Sequence, residues 1–446
     1  MAKAIKIKKG LDLKVKGKPE PNIQEVSNSP EYAIKPTDFP SLTPKMVVKE
    51  GEQVKVGTPI FFDKYRQAIQ YVSPVSGTIA EIKRGAKRKI LSVTIKADSD
   101  FSYESVDTSG DAKDVILKSG LWPTIKQRPL DIVADYNKAP KAIYVSGFDS
   151  SPLAPDYEFL LNDKKEALQA GFDALSKLTE GKVNVTIESN IKSSSVFTSI
   201  KGIELYTTSS KHPAGNVGTQ IHHISPINKG EVVWTINALD VARIGTLFTT
   251  GKLDFTKTIA LTGSEVKTPA YYKMISGASL SNLVDKNITS DNVRYISGNM
   301  LTGDNVGKDG YLGFYENQVT VIPEGDIYRF AFTEGWMAPG FNKLSNSQTF
   351  LSSLVPKKAY DVDTNTNGEE RAFVMSGEYE KVFPFDIYPV QLIKAAITND
   401  IDKMEKLGIY EVAPEDFALC EFVCSSKINS QQIIRDGLKV IEEECM

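Results

Sequence analysis

The sequence predicts an α/β multidomain protein: a small β sandwich, then an α/β unit, a second β-rich unit and a helical tail. Three observations carry this. Short apolar runs broken by Gly turns fill residues 44–93. Strand patterns alternate with an amphipathic helical pattern from about 139 to 255. Beyond Pro389 the apolar residues fall at helical spacing. The 446 residues suffice for about three domains. Charged residues make up 24% and hydrophobic residues 41%, ordinary for a globular protein, and the net charge of −3 offers no field for nucleic acid. No run approaches the ~20 apolar residues that a membrane span requires. Met1 is followed by lysine-rich alternation rather than an apolar stretch, so no signal peptide is expected. The three cysteines, Cys420, Cys424 and Cys445, form no disulfide framework and fit a reducing compartment.

Element by element, the N-terminus alternates. Ile5, Ile7, Leu11, Leu13 and Val15 interleave with Lys6, Lys8, Lys14 and Lys16, which predicts a strand with one apolar face and a solvated lysine face. Next come Val48, Gly51, Val54, Val56, Gly57 and Ile60-Phe61, then Val72, Pro74, Gly77, Ile79, Ile82 and Gly85, short strands with regularly spaced turns. This run resembles the barrel-sandwich hybrid of biotinyl and lipoyl domains. In those domains a hairpin-tip lysine is acylated. The nearest candidate is Lys64, but its hairpin is longer than the lipoyl pattern and lacks the ligase-read string, so structural reuse is expected. Lys83, Arg84, Lys87, Arg88 and Lys89 cluster around Gly85. They read either as a solvated turn or as a patch for an acidic partner or lipid headgroups.

A polar connector over 98–118 leads to Ser119-Gly120-Leu121-Trp122-Pro123, running on to Arg128-Pro129. This position resembles the glycine-rich flavin loop of RnfC and of the flavin-binding subunit of respiratory complex I. There the glycines let backbone N–H groups approach a phosphate. Here no glycine follows Gly120 before Gly147, so no such approach is expected. Ala142–Gly147, Lys182–Ile187 and Gly202–Tyr206 read as strands, with Leu161, Leu168, Phe172 and Leu175 on a helix between them. No G-x-G-x-x-G follows any strand, so a dinucleotide site is not supported. All three histidines lie within Lys211-His212-Pro213 and His222-His223. They are candidates for a metal or for the polar edge of a quinone site. Asp, Glu and Cys are absent from 207–230, and a His-His pair on a strand points to opposite faces, so a structural loop or subunit contact is preferred over a metal site. Lys211, His212, Pro213, His222 and His223 remain the candidate binding residues, and no catalytic residue stands out.

Thr258–Val266 reads as a strand and a turn, and Gly277–Val284 as a turn, a Ser cap and a helix start. This resembles the soluble-ligand-binding β-grasp (SLBB-like) module. In the tail, Pro389 suits a first helical position, and Ile393, Ile397, Ile401, Met404 and Leu407 predict one helix ending at Gly408. Asn429 with Gln432 reads as a capping box. Phe373, Ser376, Tyr379, Phe383-Pro384 and Pro414, Phe417, Cys420, Cys424 repeat the C-x2-C-x2-C-x3-C spacing of two-cluster ferredoxins, with two of eight positions still Cys. A [4Fe–4S] cluster needs four thiolates, so neither cluster is expected, and aromatic rings are expected to fill the vacated volume.

The order of these units resembles, over essentially the whole chain, the NqrA family of sodium-translocating NADH:quinone oxidoreductase subunits. Ile7–Leu13, Ser73–Gly77, Arg84–Arg88, Ala418–Cys424 and Arg435–Leu438 carry further matching strings. The resemblance implies a barrel-sandwich hybrid domain over 1–100, a connector over 101–138, a Rossmann-like α/β domain over 139–256 and a β-grasp domain over 257–330. A second connector over 331–370 and a helical ferredoxin-like domain lacking clusters over 371–446 complete it. It also implies a peripheral subunit on the cytoplasmic side of a bacterial inner membrane. Such a subunit would bind no cofactor itself, within a complex that uses NADH, flavins, iron–sulfur centres, quinone and Na+. Expected partners are the other subunits, the membrane-embedded NqrB above all, and quinone. The competing expectation is an RnfC-like flavin or iron–sulfur electron carrier.

Overall fold

The computed structural model describes residues 2–190, 195–335, 337–346, 349–355 and 358–445. Glu31–Ile34, Ile90–Ala97, Gly77–Arg84 and Gln53–Val54 form one sheet of the sandwich in that order, and Pro44–Met46, Pro59–Asp63 and Gln70–Val72 form the other. Ile60, Phe61 and Ile79, which the sequence singled out, point inward, joined by Val93 and Ile95. All five are almost wholly buried. Facing apolar side chains at this spacing let two short sheets share one core.

The N-terminus departs from its expectation. Burial alternates as predicted at Ile7, Leu13 and Val15, yet only Lys3–Ala4 is a strand, and it pairs in parallel with Glu204–Thr208. Ile23–Glu25 pairs in parallel with Ala270–Ile275. The first stretch of the unit assigned to 1–100 therefore edges two other sheets, and sandwich strands begin at Glu31. Alternation reports that one face is buried, not which sheet buries it.

The α/β sheet has seven strands, ordered Lys3–Ala4, Glu204–Thr208, Val183–Glu188, Ile143–Ser146, Val233–Asn237, Lys126–Arg128 and Ile132–Val133. The first five run parallel, and the last two join antiparallel. Helices Lys165–Ser176 and Ala238–Thr250 cross closely. A Cβ at Gly245 would lie 1.6 Å from the Ala167 carbonyl oxygen, so only glycine permits the crossing. The β-grasp sheet runs Asp304–Asn305, Val293–Ser297, Gln318–Pro323, Thr256–Thr262, Ala270–Ile275, Ile23–Glu25.

Two helical expectations are corrected. His222-His223 lies on a helix, Val217–Ile224, not on a strand. Val217, Ile221 and Ile224, spaced four and three apart, pack on Ala142, Tyr144 and Val233, a helical period that overrides the local β-branched bias. The tail segment expected as one helix to Gly408 is two, Pro389–Ile397 and Ile401–Lys406. Asn399 turns left-handed at φ 52°, and Asp400 caps the second helix by accepting the Lys403 N–H at 3.1 Å. The tail ends in Ser430–Cys445, where Asn429 accepts the Gln432 N–H at 3.1 Å. It has its own core, which takes in Leu130 and Ile132 from the edge of the α/β sheet. Among the described residues no helix is long and apolar enough to cross a membrane.

Candidate functional site

Where sandwich, β-grasp unit and the 120–123 loop meet, a small cleft opens partly to solvent. Its walls include Phe39, Tyr71, Val72, Pro123, Phe255 and Phe314. The Phe39 ring lies 4.5 Å from that of Tyr71 and 4.8 Å from that of Phe314. Tyr71 Oη and Ser276 Oγ, both on lining residues, are buried without a hydrogen-bond partner. An unmet buried hydroxyl is costly, and a partner supplied from outside the chain would relieve that cost. Burial, with Asp63 nearby, pushes the Tyr71 phenol well above its ordinary value, so it stays protonated and can donate. Asp38 lines the same cleft, paired with Lys35 at 3.2 Å and accepting the Phe314 N–H at 2.9 Å. Burial pushes its carboxyl up.

Behind this wall Lys257 donates to the carbonyls of Phe314 and, at 3.2 Å, Glu316. Burial lowers this lysine to about 8 and raises Glu316 to about 7. Hydroxyl-bearing side chains line the cleft, and two groups titrating near neutrality lie behind it.

The three histidines do not converge. His212, in a cis peptide with Pro213, is buried with Nδ1 3.0 Å from Ser150 Oγ, and its N–H donates to Asp12 Oδ1 at 2.9 Å. Ser150 Oγ also accepts the Gly215 N–H at 2.8 Å, so the hydroxyl proton is free to point at the ring. Burial lowers His212 to about 4. His222 Nδ1 sits 2.8 Å from Glu411 Oε2, and its Nε2 accepts the Asp386 N–H at 2.9 Å. His223 donates to Thr219 O on its own helix at 2.8 Å, and burial lowers its pKa. His212 therefore locks the loop and His222 bolts the α/β domain to the tail. Among the described residues no group of three or more His, Cys, Asp or Glu could hold a metal ion.

The neutral His212 makes acid stability testable. Its folded pKa lies below the ordinary 6.5, so the unfolded chain binds more protons between pH 6.5 and 4. Its contribution is complete above pH 6.5 and is lost as pH falls, about 3 kcal/mol in all. Denaturant unfolding at pH 7 and pH 4 should show a smaller acid loss for His212→Gln than for the unsubstituted chain. Equal losses would refute this.

Sequence reasoning missed a buried ion-pair cluster that joins the α/β sheet to the tail. Arg128 is 1% exposed and donates to Asp416 Oδ2 at 2.8 Å, Glu415 Oε1 at 2.7 Å and the Glu411 carbonyl at 3.4 Å. The helix carrying His222 passes so close that a Cβ at Gly218 would lie 2.6 Å from Arg128 Nη1. Beside it, Asp131 pairs with Lys126 at 3.3 Å and Arg435 at 2.9 Å. The available signal was charged residues beside prolines, Arg128-Pro129 and Pro414-Glu415-Asp416, which single out no partner.

The remaining candidates are separate. Lys83, Arg84, Lys87, Arg88 and Lys89 are exposed at the tip of the hairpin joining Gly77–Arg84 to Ile90–Ala97. Lys64 is exposed on its own hairpin, while the neighbouring Arg66 is tied to Asp63 and to the Val133 carbonyl. Trp122 fills the place of the missing glycines, fully buried, edge-on to Trp234 at 5.3 Å, its Nε1 donating to Ala134 O at 2.8 Å. In the tail, Tyr379, Phe383, Phe417, Cys420 and Cys424 are buried together, while Phe373 is half-buried.

Three family profiles match successive parts of the chain: the NqrA N-terminal barrel-sandwich hybrid domain over 5–98, the NqrA second alpha/beta domain over 108–253 and the NQRA C-terminal domain over 258–308. The NqrA chain of the Na(+)-translocating NADH-quinone reductase of Marinomonas sp. is 38% identical over 449 residues, covering 98% of this chain and 99% of its own. The relative of the same name from Vibrio vulnificus is 38% identical over 450 residues, covering 99% and 100%. A solved NAD+-reducing [NiFe]-hydrogenase chain overlays at a TM-score of 0.35 with 10% identity over 69% of this chain and 56% of its own, too slight a likeness to bear on the fold. With relatives matched end to end and every profile in family order, the chain belongs to the NqrA family of Na+-translocating NADH-quinone reductase subunits.

Proposed function

We propose that this chain is a peripheral subunit on the cytoplasmic side of the bacterial inner membrane, held there by the other subunits, the membrane-embedded NqrB among them. It carries no flavin or iron–sulfur centre and shapes the quinone-reduction step coupled to sodium export. The observation that carries the quinone part is the junction cleft, where Tyr71 and Ser276 hold unmet hydroxyls among aromatic walls. A quinone carbonyl accepts such hydrogen bonds, and its ring stacks on Phe39 or Phe314. Removing both hydroxyls, as Tyr71→Phe with Ser276→Ala, should raise the quinone KM of the complex about tenfold. NADH oxidation with an artificial acceptor should persist. An unchanged KM would remove the cleft from the quinone step.

Support for the cofactor-free reading comes from the residues present. Trp122 fills a loop that a phosphate would need open. Two cysteines stand where two clusters need eight thiolates. In two-cluster ferredoxins the fourth residue of each motif crosses to the other cluster. Here Phe383, fourth in its set, lies 4.8 Å from Phe417 of the other set, and Cys424, fourth in the second, meets Tyr379 of the first. That crossing favours a ferredoxin-like tail whose clusters are replaced by rings, over an RnfC-like electron carrier. The basic hairpin tip is the candidate contact with anionic headgroups. Binding of the chain to anionic vesicles that falls with added salt tests it.

A further inference from the structure

A second cavity, of about 40 Å³ and partly open to solvent, lies between the α/β unit and the β-grasp sheet and shares no lining residue with the aromatic cleft. One wall is a face of the helix Ala238–Thr250, where Leu239, Ala242, Arg243 and Thr246 recur at helical spacing. The other is the start of the strand Thr256–Thr262, with Asn317 beside it. Lys164 and Asp254 stand exposed at the mouth.

The charges around this cavity do not balance. Lys164, Arg243 and Lys257 line it against the single carboxylate of Asp254, which accepts the Thr256 N–H at 2.8 Å. Arg243, its side chain 8% exposed, sets Nη1 2.9 Å from Asp240, and its other N–H groups have no partner among the described residues. Lys257, 3% exposed, donates to the carbonyls of Phe314 and Glu316. Burial first, and then the charge of Arg243, lower this lysine to about 8, while Asp240 and Glu316 each act the other way more weakly. Two buried cations that repel each other carry a cost that an anion beside them would remove. Asn317, 9% exposed, lines the same cavity, and its side-chain amide has no hydrogen-bond partner among the described residues. An amide so deeply placed and unpaired is rare.

We propose that this cavity binds a phosphate group, free or carried on a small ester, between the Arg243 guanidinium and the Asn317 amide, and so clamps the α/β unit to the β-grasp sheet. A guanidinium holds two oxygens of one oxyanion in parallel, and a primary amide donates two further hydrogens. The excess of positive charge favours a phosphate, close to doubly charged at neutral pH, over a carboxylate. A cation would meet Arg243 and Lys257 and is not accommodated. Lys164 at the mouth draws anions in. The occupant bridges a helix of one unit and a strand of the other, so binding stabilises their junction by mass action. The site stands apart from the quinone reading, since neither the cleft nor the basic hairpin contributes a residue to it.

Calorimetric titration of inorganic phosphate into the full chain, at ionic strength held constant with sodium chloride, should give saturable one-to-one binding with Kd at or below about 1 mM. Asn317→Asp keeps the side-chain shape, sets a carboxylate against the anion and should weaken binding at least tenfold. Arg243→Lys keeps a cation beside Asp240 but loses the guanidinium fork, and should weaken binding about fivefold. Should either variant fail to melt as the unsubstituted chain does, Lys164→Glu at the exposed mouth is scored in its place and should weaken binding about threefold. A parallel titration with glycerol 3-phosphate decides the source. Tighter binding than that of inorganic phosphate makes it an ester, equal or weaker binding makes it the free ion, and both uphold the site. Absence of saturable heat up to about 20 mM phosphate overturns the proposal. So does binding that the variants retain in full, which places the anion elsewhere. A gain in melting temperature that the variants share equally is the general salting effect of phosphate and overturns the clamp.

Discussion

Replacing Arg128 by Met is expected to destabilise the chain by about 3–5 kcal/mol, read by denaturant unfolding. The reason is what remains. Asp416 is completely buried, and without the guanidinium its carboxylate keeps only the Ala413 N–H at 2.8 Å. Its second oxygen already lacks a partner. Burial pushes the Asp416 carboxyl above its ordinary range, against the pull of Arg128, so losing the cation raises it further and favours proton uptake. Glu415, with a side chain 40% exposed, can turn to water and contributes less. A buried ion pair adds little net stability, but an orphaned buried charge is expensive. The double variant Arg128→Met with Asp416→Leu should therefore regain most of the loss. A double variant as unstable as the single one would show that the guanidinium acts by packing and not by charge.

This pair also shows where sequence reading stops. The sandwich was legible because its evidence is local: Gly51, Gly57 and Gly77 punctuate short apolar runs, and turn and strand are neighbours in the chain. The α/β alternation was legible for the same reason. Arg128 and Asp416 are 288 residues apart, and neither position differs locally from an exposed charge. The junction cleft is built from stretches near residues 34–39, 71–74, 120–123, 255–277 and 312–314, each of which reads as ordinary core on its own. Lys257 lies on Thr256–Thr262 and Glu316 just before Gln318–Pro323, strands that pair in parallel, and only that pairing brings them together.

The misreadings have similar causes. The N-terminal alternation was real, but its partner strand Glu204–Thr208 lies beyond any local window. The histidine dipeptide was read at period two because its flanks are β-branched, while Val217, Ile221 and Ile224 were already spaced for a helix. The tail helix was extended through Asn399, a residue that tolerates the left-handed conformation and so can end a helix without a glycine.

Truncating Phe383 to Ala is expected to cost about 3–5 kcal/mol, the range for a buried Phe that leaves a cavity. Phe383 is 1% exposed, stacked on Phe385 at 4.8 Å and tilted against Phe417 at 4.8 Å. These rings belong to the same core as Tyr379, Cys420 and Cys424, and that core carries the helix Ser430–Cys445 and reaches Leu130 and Ile132 of the α/β sheet. The size of the loss discriminates between two accounts of the tail. If rings occupy volume that metal clusters filled in a related scaffold, Phe383 sits between the two sets of former ligand positions, and its neighbours, fixed on separate helices, collapse little into the void. The cost should then fall in the upper part of the range, and Phe383→Leu, which refills most of the space, should recover well over half of it. Phe373, half-buried at the rim and 5.8 Å from Tyr379, should lose much less on the same truncation. A Phe383→Ala chain as stable as the unsubstituted one, or a Phe373→Ala chain equally damaged, would mean that the rings do not form a replacement core.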